Sequence, residues 1–104
     1  MALRVRVCRL ADVVDDELRA FAVDGVTWPV IVTRTGGEII ATPGVCPHED
    51  VGLAGGRLEN GAIVCPGHDY AFDLRTGRCT ADPGLELRRY PITLVGDELY
   101  VDLL

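Results

Sequence analysis

Short stretches of this chain alternate between apolar and polar residues, and turn dipeptides interrupt them at close intervals. Leu3, Val5 and Val7 alternate with Arg4 and Arg6, the period-two pattern of a strand buried on one face. Leu18 to Val23 predicts a second strand, ending at Asp24-Gly25. Trp28 to Arg34 predicts a third, which Gly36-Gly37 turns into Glu38 to Thr42. Asn60-Gly61 is a strong hairpin signal and leads into the apolar run Ala62, Ile63 and Val64. Tyr70 to Leu74 predicts a short strand closed by Thr76-Gly77. Tyr90, Ile92 and Leu94 share one face, Gly96-Asp97 turns the chain, and Leu99, Val101 and Leu103 resume the alternation. Only Leu10 to Arg19 leaves room for a helical turn, because Val13-Val14 and the acidic residues around them show no sustained helical period. About eight short strands with glycine-rich turns predict an all-β fold, an antiparallel sandwich or barrel.

With 104 residues and no break in composition, the chain reads as one domain spanning residues 1–104. A chain of this size buries roughly 65% of its unfolded surface, so neither a metal nor a disulfide is required for folding. Residues able to bind metal are therefore to be weighed for function. The net charge of −6 excludes nucleic acid and anionic membranes as natural partners and favours a basic patch on another protein. The start of the chain, Met1 to Arg6, lacks the apolar run of a signal peptide, and no stretch is long enough to span a membrane. The expected compartment is the cytoplasm.

The chemistry resides in the cysteines and histidines. Of the four cysteines, Cys8 ends an amphipathic strand and reads as a small buried hydrophobe. Cys79 follows Gly77-Arg78 in a turn and reads as a bystander thiol. Cys46 and Cys65 differ, because each is followed closely by one of the only two histidines: Cys46-Pro47-His48 and Cys65-Pro66-Gly67-His68. Sixteen residues, 49–64, separate the two boxes. A lone surface histidine is more often idle than a ligand, but two matching cysteine–histidine loops point jointly to metal. Pro47 and Pro66 stiffen each loop. Gly52 to Gly56 lacks the Lys-Ser/Thr of a phosphate cradle and reads as a flexible loop; Trp28-Pro29 reads as core.

Zinc accepts two cysteines and two histidines, although finger-type sites usually pair like with like on each arm. A two-iron cluster uses mixed arms directly, with both thiolates on one iron and both imidazoles on the other. The boxes, with Leu53-Ala54-Gly55-Gly56, Phe72-Asp73, Thr76-Gly77-Arg78 and the tail Arg89 to Val101, resemble the Rieske family, in particular the ferredoxins of bacterial aromatic-ring oxygenases. The resemblance implies one [2Fe–2S] cluster held by Cys46, His48, Cys65 and His68. It also implies a two-sheet sandwich with a small cluster-binding subdomain built from the loops around residues 45–54 and 65–72. Pro83 falls in a loop that the resemblance places over the cluster.

Two Fe(III), two sulfides and two thiolates sum to zero with neutral imidazoles. The resemblance therefore implies a potential above that of four-cysteine clusters, which lie at about −400 mV. High-potential members of the family carry a disulfide at the positions of Val51 and Gly67, and hydroxyl donors at those of Tyr70 and Phe72. With neither disulfide nor phenylalanine hydroxyl available, the expected potential lies near the bottom of the Rieske range, about −150 mV. Gly67 stands where oxygenase ferredoxins often have a bulky residue, and Asp69 where many have glycine. Gly67 opens the cluster to solvent, while the Asp69 carboxylate opposes reduction.

The implied function is one-electron transfer from an NAD(P)H-dependent flavin reductase to a terminal oxygenase, by a monomer with no catalytic residue of its own. His48 and His68 would form the docking surface. The alternatives are a small Rieske-fold subunit of a nitrite-reductase-like enzyme and a structural zinc protein.

Overall fold

The turn dipeptides set the registers. In the computed structural model, which describes residues 3–48, 51–67 and 70–103, Gly36-Gly37 and Asn60-Gly61 all have positive φ. Two such residues in succession make the two-residue hairpin loop whose twist matches its strands. They close the pairs Thr35↔Glu38 and Glu59↔Ala62, and Gly96-Asp97 closes Val95↔Glu98.

Among the described residues there are nine strands: β1 Arg4–Arg9, β2 Arg19–Phe21, β3 Val30–Thr35, β4 Glu38–Pro43, β5 Arg57–Glu59, β6 Ala62–Val64, β7 Ala71–Asp73, β8 Ile92–Val95 and β9 Glu98–Asp102. They form three antiparallel sheets, ordered β1-β9-β8, β2-β3-β4 and β5-β6-β7. The expected helical turn is a 3-10 turn over Leu10–Asp12, and a second 3-10 turn covers Leu53–Gly55.

The first two sheets make the expected sandwich. Val7, Leu99 and Val101 share a core with Val30, Val32 and Ala41. Ile31 and Ile40 point the other way, into a second core with Ile63, Phe72 and Leu74. β3 is thus covered on both faces, which explains why Val30-Ile31-Val32 is continuously apolar: no solvent face is left on which alternation could appear. Burying side chains such as Phe72 and Ile63 contributes about 1.5–3 kcal/mol each to holding the third sheet against the sandwich.

That third sheet, β5-β6-β7, is the small subdomain. β5 escapes the hydrophobic pattern because Arg57 and Glu59 are exposed and only Leu58 is partly buried. Cys79 also differs from expectation. It is buried in the second core and pairs in an isolated bridge with Phe72, so it is a core residue of the subdomain. No helix among the described residues is long and apolar enough to cross a membrane.

Candidate metal centre

The first loop leaves β4 at Pro43 and returns at once. Val45 and Gly52 form an antiparallel bridge, and the Cys46 N–H donates to the Val51 carbonyl at 2.9 Å. The Leu53 N–H closes the base of the loop on the Gly44 carbonyl, also at 2.9 Å. The second loop leaves β6 at Val64, and the Cys65 N–H donates to the Tyr70 carbonyl at 2.8 Å. In both loops the cysteine amide is thus tied to a carbonyl five residues on (46 to 51, 65 to 70), which pins the two ends of each box together.

The two loops meet. A Cβ on Gly55 would lie 3.7 Å from Cγ of Pro66, and the rings of His48 and Tyr70 have centroids 4.2 Å apart at 34°. Cys46 and Cys65 lie in the same buried core, with exposures of 2% and 0%, and neither is part of a disulfide. His48, Pro47, Pro66 and Gly67 are exposed. Two sulfurs shielded from solvent, with an exposed imidazole two residues after the first, are donor types suited to an iron–sulfur cluster. The structure places Cys46 and Cys65 in one core and His48 against Tyr70 of the second loop, while among the described residues no group of three histidine, cysteine or carboxylate side chains lies close enough to hold a single metal ion; His68 and Asp69 lie outside the described residues.

The glycine-rich segment is less free than its composition suggests. Leu53 is fully buried, and a Cβ on Gly56 would stand 2.0 Å from the Val64 carbonyl oxygen, next to Cys65. Gly56 is required for close approach, which corrects the reading of a flexible loop. Trp28 lies near Gly52, and the Gly44 N–H donates to the Pro29 carbonyl at 2.8 Å, so Trp28-Pro29 supports the first loop from below. Pro83 is exposed in a turn where the Gly84 and Leu85 amides bond to Asp82, and Leu85 packs against the core that holds both cysteines.

Residues 4–91, which include both loops, match the Rieske [2Fe–2S] domain. The chain belongs to the Rieske family. Its cofactor is accordingly a [2Fe–2S] cluster. The ferredoxin component of biphenyl 2,3-dioxygenase from Rhodococcus jostii is 36% identical to this Rieske protein, over 99% of this chain and 94% of the relative. Among solved structures, the ferredoxin of Sphingomonas yanoikuyae B1 superposes with a TM-score of 0.84 at 28% identity, covering 98% of this chain and 100% of its own. A complex of reduced oxygenase and oxidised ferredoxin from carbazole 1,9a-dioxygenase contains a chain with a TM-score of 0.81 and 29% identity, covering 95% of this chain and 92% of that one.

Proposed function

We propose that this Rieske protein carries single electrons from an NAD(P)H-dependent flavin reductase to a terminal oxygenase, with Cys46 and Cys65 on one iron and His48 and His68 on the other. It works as a single-domain cytoplasmic monomer that docks transiently and catalyses no reaction itself. The observation that carries this reading is the meeting of the two loops, with both thiols buried in one core and the exposed imidazole of the first loop packed on Tyr70 of the second. The names of the relatives support it, since they are ferredoxin components of dioxygenases, and so does the complex of a similar ferredoxin with its oxygenase.

When bound, the cluster supplies a one-electron redox couple. The chain's own residues do the rest. The buried thiols keep water from the sulfur ligands, while the exposed His48 ring shortens the path to a docked partner. Iron and sulfide analysis should return two of each per chain, with a Rieske-type EPR signal on reduction. His48→Cys adds a negative charge and should lower the potential toward the four-cysteine value of about −400 mV. An intact mutant cluster at an unchanged potential would show that His48 is not a ligand. Zinc without inorganic sulfide would overturn the whole reading.

A further inference from the structure

Tyr70 reaches from the second loop to the first. Its carbonyl accepts the Cys65 amide at 2.8 Å, its side chain packs against the core holding both cysteines, and β7 begins at the next residue. Its backbone is thus fixed from both sides, and its side chain is half-buried. His48 stands on the opposite loop, exposed, with its ring centroid 4.2 Å from that of Tyr70. A ring held against one face of an exposed imidazole narrows the rotamers it can adopt.

We propose that Tyr70 is a positioning residue for His48: its ring fixes the plane of the imidazole, covers one face from water and latches the two loops together. The inference rests on His48 being a cluster ligand, and it adds a role for the aromatic ring rather than for the phenolic hydroxyl. Because the contact crosses between loops, losing it frees the first loop to open away from the second.

Three variants of the cluster-loaded protein test this. Tyr70→Phe keeps the ring, Tyr70→Leu keeps apolar bulk against the core without a ring, and His48→Ala removes the imidazole. Pulsed EPR of the reduced protein reads the nitrogen couplings of the ligating imidazoles, and visible absorbance follows cluster loss in air. Tyr70→Phe should match the parent in both measurements. Tyr70→Leu should shift the nitrogen couplings and lose its cluster about fivefold faster, the ratio equivalent to a ring contact of about 1 kcal/mol. Unchanged couplings in Tyr70→Leu would overturn the proposal. A Tyr70→Phe protein behaving like Tyr70→Leu would overturn it too, since the hydroxyl would then be the acting group. His48→Ala separates this from the ligand assignment: parent-like couplings there mean that His48 never bound iron. Altered couplings there, beside an unchanged Tyr70→Leu protein, leave the ligand in place and remove only the role of Tyr70.

Discussion

In a regular strand Cys8 would share the outward face of β1 with Arg4 and Arg6. A bulge between Arg6 and Cys8 inserts Val7 as an extra residue, so Val7 and Cys8 are buried in succession. Sequence correctly reads Cys8 as a small core residue, but nothing in Arg6-Val7-Cys8 marks the bulge that puts it there. Burial, reinforced by the Asp12 carboxylate, pushes the Cys8 thiol up to about 11 from its ordinary value of 9.0. The folded protein therefore keeps a proton that the unfolded chain has released between those two values. Stability that is fully present below pH 9 is lost as the pH rises toward 11. Urea midpoints measured from pH 8 to pH 11 should fall more steeply in the parent than in Cys8→Ala. Parallel curves would mean that Cys8 titrates alike in both states.

Among the elements, the hairpins were the most legible, because Gly36-Gly37, Asn60-Gly61 and Gly96-Asp97 state a backbone requirement that only a few residues meet. β5 was not legible, since its single apolar residue forms no pattern and its pairing with β6 is decided by the neighbouring hairpin turn. The site divides in the same way. Spacing marks Cys46, His48, Cys65 and His68 as joint metal candidates, because two cysteine–histidine boxes rarely coincide by chance, and the resemblance makes them a cluster's ligand set; of these the structure places Cys46 and Cys65 in one core, and His68 lies outside the described residues. The supports of the loops were hidden: a run of glycines looks flexible until the carbonyl opposite Gly56 is known, and the Tyr70–His48 contact joins residues twenty-two positions apart (70 − 48). Gly56 provides a test at this scale. Gly56→Ala places a methyl 2.0 Å from the Val64 carbonyl, which must move and carry Cys65 with it. It should cost about 1–3 kcal/mol, as overpacking does, and lower the iron content of the purified protein. Gly55→Ala makes only an ordinary 3.7 Å contact with Pro66 and should behave like the parent. Equal effects of the two would show that the 3-10 turn tolerates displacement.

The whole molecule carries sixteen carboxylates against ten arginines and lysines, and all ten cations are arginines. Several arginines are paired on the body of the protein: Arg4 with Asp102, Arg34 with Asp15, and Arg89 with Glu38. The surplus is negative, and the sequence sets Glu49, Asp50 and Asp69 beside the ligand boxes. How far that charge acts depends on salt. At 10 mM ionic strength the screening length is about 30 Å, comparable to the molecule's 38 × 28 × 21 Å extents, so the full −6 charge steers an approaching partner. At 150 mM it is about 8 Å, and only charges near the interface are felt. Docking on a basic face of the oxygenase therefore predicts a second-order electron-transfer rate that falls about tenfold across that range. Transfer within the docked pair, read at saturating oxygenase, should change little, because its distance is set by short-range contacts at the interface rather than by long-range charge. A second-order rate that is flat or rises with salt would place the encounter on a neutral or acidic surface and remove charge steering from the account.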